Sequence, residues 1–173
     1  QLDRFHFNEA AKDIYEFTWS DFCDWYIEIA KTRFYGDDPE KANIARAVSV
    51  HVIKGILRLL HPYSPFITEE LWAHFRNESD SDLIVKSWLN GDLSMEDREA
   101  DGSMTLLKDI ITAVRTIRSR MNVPPGIKAD LVIRNVGRNQ ALIESFDEII
   151  RTLGRIEEMT LGQDLEKPEQ SAT

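Results

Sequence analysis

A run of aromatic residues at helical spacing constrains this chain more than any other feature. At about 100° per residue, Phe7, Ala11, Ile14, Thr18, Phe22, Trp25 and Ile29 fall on one line, with Tyr15, Trp19, Tyr26 and Ala30 beside it. The opposite arc carries Asp13, Glu16, Ser20, Asp21, Asp24 and Glu28. The aromatic face must be buried against other elements. The acidic face has the wrong sign for a phosphate backbone. The spacing predicts one helix over 7–34, stopped by Gly36. Lys31 and Arg33 stand in its last turn, where the helix dipole favours cations.

Punctuation divides the rest of the chain. Asp38-Pro39 supplies an N-cap followed by proline at the first helical position. The helix that follows is predicted to reach Leu60. Its apolar residues, including Ile44, Ala45, Val48, Val52, Ile53, Ile56 and Leu57, wrap nearly all round, so it is expected to be the most buried helix. His61-Pro62 ends it, and Ser64-Pro65 repeats the cap-then-proline start for a shorter helix to Phe75. A polar turn at 77–82 leads to a short extended segment, Leu83 to Trp88, whose apolar residues are expected to lie over the bundle. Acidic residues 91–102 read as a loop. A fourth helix follows, with Leu107, Ile110, Ile111, Val114, Ile117 and Met121 at its apolar spacing, and it ends before Pro124-Pro125-Gly126. The pattern then changes to alternation at Ala129, Leu131 and Ile133, a helix over 142–153, and a second strand at Ile156, Met159 and Leu161. A small right-handed strand–helix–strand crossover fits this length.

The predicted fold class is mainly α: a helical bundle over 1–96, a long helix plus strand–helix–strand extension over 97–162, and a disordered tail over 163–173. The net charge of −9 argues against a free-standing nucleic-acid binder. It leaves room for local contacts within a larger protein. The lone Cys23 cannot form an intramolecular disulfide, so a reducing compartment is the simpler expectation. We expect it to be an inert packed thiol. No apolar run approaches the roughly 20 residues of a membrane span. The N-terminus lacks a signal peptide's apolar core and enters almost directly into helix, so we expect a piece of a longer protein.

Catalytic chemistry is sparse. No glycine-rich phosphate loop, nucleophile elbow or paired cysteine–histidine spacing is present. His51 and His61 are ten residues apart and turn to different helix faces. With His6 and His74, they read as surface or helix-end histidines. Three features have binding potential. The cluster Trp19, Phe22, Trp25 and Tyr26 can stack on unpaired bases, but its place on an apolar arc favours core packing. His51, Lys54 and Arg58 form a basic stripe on the one polar gap of the second helix, suited to phosphate or simply solvated. Arg115, Arg118 and Arg120 lie on the fourth helix. Arg118 points to the edge of its apolar face, where a structural salt bridge is the expectation.

Three strings carry more information than the periodicities. They are Phe22-Cys23-Asp24-Trp25-Tyr26-Ile27-Glu28 with Ala30-Lys31, then Leu60-His61-Pro62-Tyr63-Ser64-Pro65-Phe66-Ile67-Thr68-Glu69-Glu70-Leu71-Trp72, then Ile117-Arg118-Ser119-Arg120-Met121-Asn122-Val123-Pro124-Pro125-Gly126. In order and approximate spacing they resemble the C-terminal region of the valyl-tRNA synthetase family, over roughly Leu2 to Leu161. The middle string is less specific, since leucyl and isoleucyl enzymes carry similar versions.

The resemblance implies a class I anticodon-binding bundle followed by a small α/β unit. It implies a noncatalytic module that holds the anticodon arm of tRNA(Val) while an upstream domain joins valine to that tRNA. The HIGH and KMSKS motifs of that catalytic domain do not occur here, nor do the editing domain and the C-terminal coiled coil. No cofactor is expected in this piece; ATP and Mg belong to the parent's catalytic domain. The expected partners are tRNA(Val) and the remaining domains of the same synthetase, with no membrane and no DNA, in the cytoplasm. The family's first bundle helix, which supplies much of the base contact, lies upstream of this chain. Expected RNA contacts are therefore limited to phosphate or stem contacts by Lys31, Arg33, His51, Lys54 and Arg58, with Phe22, Trp25 and Tyr26 as scaffold. The alternatives are the equivalent domain of an isoleucyl or leucyl enzyme, or a helical protein-interaction domain without an RNA role.

Overall fold

The computed structural model describes residues 6–77, 79–91, 93–163 and 165–166. The chain forms two compact units, Gln1–Ser94 and Met95–Thr173.

The first unit is helical. A continuous helical stretch comprises α1 (Phe7–Glu16), a π-helical segment (Phe17–Ile27) and α2 (Glu28–Phe34). The predicted single helix is thus present, but its centre is wound differently. Aromatic residues lose χ1 freedom in a regular α-helix, and five of the eleven π-helical residues are Phe17, Trp19, Phe22, Trp25 and Tyr26. At its start the Thr18 hydroxyl donates to the Ile14 carbonyl at 2.7 Å, a side-chain bond that competes with the backbone ladder. Bonds from i to i+5 turn successive residues through less than 100°, so the aromatic line does not hold. Phe22 is buried and stacks on Tyr26, ring centroids 5.6 Å apart. Trp25 is half-buried. Trp19, expected in the core, is 58% exposed.

Helix α3 (Pro39–Leu60) starts as predicted: the Asp38 side chain accepts from the Glu40 and Lys41 N–H groups. Small residues Ala42, Ala45 and Ser49 form its buried N-terminal face, and α1 and α2 pack on this helix. The Tyr26 hydroxyl reaches the Ala45 carbonyl at 3.4 Å. Ile56 and Leu57 are buried nearer its C-terminus. Contrary to expectation, α3 is not wrapped on all sides. Ile44 and Val48 are exposed, because α1, α2 and α4 cover only part of its circumference.

Helix α4 (Pro65–Ala73) returns against α3. Trp72, Leu57 and Leu83 form a buried cluster, with Ile53 and Phe75 packed against it. Leu83 belongs to a 3₁₀ turn, Leu83–Val85, rather than to the expected extended segment. The Glu69 carboxylate accepts from the N–H groups of Leu83 and Ile84 at 2.9 and 3.3 Å, which holds that turn on α4. Of the apolar residues in 83–88 only Leu83 is buried; Ile84, Val85 and Trp88 stay exposed.

The second unit is built on α5 (Arg98–Arg120). The expected loop over 91–102 ends early, because the Asp97 side chain caps the helix by accepting from the Glu99 and Ala100 N–H groups. Leu107, Ile111 and Val114 are its buried face. Strand β1 (Ala129–Arg134) pairs in parallel with β2 (Ile156–Gly162), joined by α6 (Gln140–Ser145) and α7 (Asp147–Gly154). Leu131 opposes Met159 and Ile133 opposes Leu161. Gly154 permits a close approach to α5: a Cβ there would lie 3.2 Å from Ile156 and 3.4 Å from Val114. Arg118 is structural as expected, but it binds backbone carbonyls rather than a carboxylate. Its guanidinium donates to Pro124 O (3.0 Å), Ile127 O (2.5 Å) and Arg155 O (3.3 Å). Most of the expected disordered tail, Asp164 and residues 167–173, lies outside the described residues.

Trp72 is 4% exposed, so Trp72→Ala should cost about 3–5 kcal/mol. Phe66, 91% exposed on the same helix, should lose less than about 0.5 kcal/mol on truncation to alanine. Urea melts followed by circular dichroism measure both. Equal losses would show that α4 buries a different face.

Candidate nucleic-acid interface

The five expected contact residues separate into three environments. Lys31 is exposed at the end of α2 and bonds Glu28 one turn back at 2.5 Å. Arg33 and His51 are exposed. Lys54 and Arg58, one turn apart on α3, turn toward Asp80 and Ser87 and are half-buried. The helical stripe is therefore not one uniform open surface: His51 keeps to solvent while its two neighbours enter a side-chain network.

That network is assembled around Trp72. The Lys54 ammonium lies 5.4 Å from the indole centroid and the Lys86 ammonium 5.7 Å. Cations held over an indole face are attracted to its π-cloud. Both ammonium groups also share Asp80, Lys86 at 2.7 Å and Lys54 at 4.0 Å. The indole N–H donates to the Ser81 carbonyl at 3.1 Å. Arg76 pairs with Asp82 beyond it. The Arg58 guanidinium donates to the Ser87 carbonyl, and its Nε is buried without an acceptor. His61 follows α3 directly. Its Nδ1 lies 2.8 Å from the Thr68 hydroxyl, and its Nε2 is buried without a partner.

Two ammonium groups thus share one carboxylate, and Arg58 stands near them with a carbonyl as its acceptor. The excess charge is local and runs against a chain of net charge −9. The sequence reading missed Lys86, Asp80, Trp88 and His61 as parts of this site. Lys86 and Trp88 lay in a segment read as extended, and the partners are separated by 29 positions from Arg58 to Ser87. No local periodicity joins residues that far apart.

In the second unit, Arg115 and Arg120 line a shallow groove of about 540 Å³ with Thr112, Thr116 and Ser119. Arg115 Nε also donates to the Leu153 carbonyl at 3.4 Å. Among the described residues there is no group of three or more His, Cys, Asp or Glu side chains placed to hold a metal ion. Cys23 is half-buried and unpaired among the described residues.

In the helical unit Lys54, Arg58 and Lys86 gather on α3 and the segment that crosses it, two of them over Trp72. A family model for the anticodon-binding domain of tRNA ligases matches residues 1–133, and the chain belongs to that family. Over 99% of its length it is 36% identical to the valine–tRNA ligase of Bacillus cereus, and it is 37% identical to that of Syntrophotalea carbinolica. Over 93% of its length it is 38% identical to the valine–tRNA ligase of Agrobacterium fabrum. The chain spans about one-fifth of the length of these curated relatives.

The Asp80 carboxyl is held below its ordinary value of 3.8, first by the Lys86 hydrogen bond and then by the Asn77 N–H. A lowered native value ties folding to the ionised form. The contribution is complete above pH 3.8 and disappears as the pH falls through the depressed native value. Asp80→Asn should therefore flatten the fall in stability below pH 3.8, measured as urea midpoints against pH. An unchanged slope would mean that the Asp80–Lys86 bond is not held in solution.

Proposed function

We propose that this chain is the anticodon-arm binding module of a valine–tRNA ligase and that its RNA is tRNA(Val). The observation that carries this reading is the identity to valine–tRNA ligases along nearly the whole chain. The module does no chemistry itself. It holds one end of the tRNA so that the acceptor end reaches the catalytic domain of the same polypeptide, where ATP and Mg are used to join valine to it. It works in the cytoplasm, beside the remaining domains of the synthetase.

The physical account is one of local attraction on an acidic body. Asp13, Glu16, Asp21 and Asp24 are exposed on the first helix and repel a phosphate backbone. Lys31 and Arg33 at the end of α2, and His51, Lys54 and Arg58 on α3, supply the attractive contacts. Such contacts position RNA without reading its sequence, so discrimination of tRNA(Val) depends on base contacts and on tRNA shape. A second reading, a helical protein-interaction domain, is favoured by the exposed apolar side chains Phe66, Tyr35 and Ile84.

Filter binding of the chain to valine tRNA and to one unrelated tRNA, at low and physiological salt, distinguishes these. Preference for valine tRNA should survive physiological salt. Equal binding of both tRNAs would remove the valine assignment, and absence of binding at every salt would favour the protein-interaction reading. Lys31→Gln with Arg33→Gln alters exposed side chains only. It should weaken tRNA binding several-fold and lower the salt slope by about one unit per lost phosphate contact, with an unchanged melting temperature.

A further inference from the structure

Beside the network around Trp72, the C-terminal end of α3 and the 83–88 segment enclose a pocket of about 140 Å³, lined among others by Arg58, His61, Ile84, Lys86, Ser87 and Trp88. We propose that it binds one unstacked nucleotide of single-stranded RNA, the phosphodiester against Arg58 and Lys86 and the base against Trp88. This rests on the RNA-binding reading above and assigns it a site.

Four observations carry the proposal. The first is charge. Among the described residues Arg58 meets no carboxylate; the acceptor it holds is the Ser87 carbonyl. Lys86 shares Asp80 with Lys54. A half-buried guanidinium without an acidic partner calls for an anion, and phosphate fits its fork geometry.

The second is unmet hydrogen bonding. Arg58 Nε and His61 Nε2 are both buried without partners, on two residues that line the same pocket. Buried polar groups in a folded protein are normally paired. Two orphans at one pocket mark a place where stability has not been maximised, as at binding sites.

The third is the wall. Trp88 is 47% exposed and Ile84 72% exposed, so neither serves the core that Leu83 enters. A half-open indole beside cations is the arrangement on which nucleobases stack, with little preference for sequence because every base has a π-face. The fourth is size. The pocket is well below the roughly 300–1,000 Å³ of sites for whole small molecules. It suits one inserted unit of a polymer.

The test uses the full chain, ¹⁵N-labelled, with the dinucleoside phosphate UpU as probe. UpU should shift the Trp88 indole resonance, assigned through Trp88→Phe, and the Ser87 amide. Uridine alone and inorganic phosphate alone should shift them less. In parallel, Trp88→Ala should lower the affinity for valine tRNA about tenfold, and Lys86→Gln should lower it and reduce the salt slope. Trp88 lies outside the core, so loss of folding does not confound that variant. If valine tRNA binds wild type and Trp88→Ala equally and UpU leaves Trp88 unmoved, the pocket assignment is overturned while the module reading stands. If UpU shifts Trp88 but no tRNA binds, the nucleotide site stands and the tRNA reading fails. Movement of Trp88 by a peptide C-terminal carboxylate and not by UpU would also overturn the proposal, in favour of a protein ligand.

Discussion

The first unit depends on how Trp72 is buried. Its indole fills the space between α3 and α4, and its N–H is matched by a carbonyl from the segment that crosses over it. Lys54 and Lys86 stand over the ring, and Asp80 binds both ammonium groups. Each part restrains another. The indole gives the cations a polarisable surface, the cations hold the carboxylate, and the carboxylate, through the Asn77 N–H, fixes the turn that delivers Leu83 to the core. Hydrophobic burial and charge pairing act here on the same few residues. Residues 79–88 are thereby a defined surface, although they contain little regular secondary structure.

That coupling places the positive charge. A chain of net charge −9 attracts a polyanion only where cations are fixed in excess over nearby carboxylates. The exposed carboxylates of the first helix make most of its solvent face repulsive to a polyanion. Lys54, Arg58 and Lys86 are gathered because two of them are needed over Trp72 and the third spans to Ser87. For these residues the structural contacts and the proposed binding role are compatible. The same contacts that hold the segment leave Arg58 without a carboxylate.

The features legible in the sequence are those set by local chemistry. Asp38-Pro39 and Ser64-Pro65 start helices, and the prolines after Val123 follow the end of α5. Apolar alternation marks β1, and the helical stretch predicted over 142–153 is present as two helices, α6 and α7, that connect the parallel strands. The readings that failed depend on contacts distant in sequence or on altered helical winding. A π-helical centre changes the angle per residue, so Trp19 leaves the face that a regular helix would give it. The apolar circumference of α3 does not report how many neighbours cover it. The candidate site was half visible: Lys54 and Arg58 stand at helical spacing, while Lys86, Trp88 and His61 join them only through the fold.

The proposed nucleotide site at 83–88 gives a reason why a recognition module can rely on few cations. Phosphate contacts add affinity in proportion to their number, but each is weakened by salt. An aromatic platform beside them contributes stacking, which does not release counterions and persists at physiological ionic strength. A half-exposed Trp88 next to Arg58 and Lys86 combines both terms within a few residues. An acidic domain gains from that combination, because adding more surface cations would act against its own carboxylates before it reached an RNA. Fixing a small number of charges around aromatic rings is the more economical solution, and α3, α4 and the crossing segment provide the frame for it.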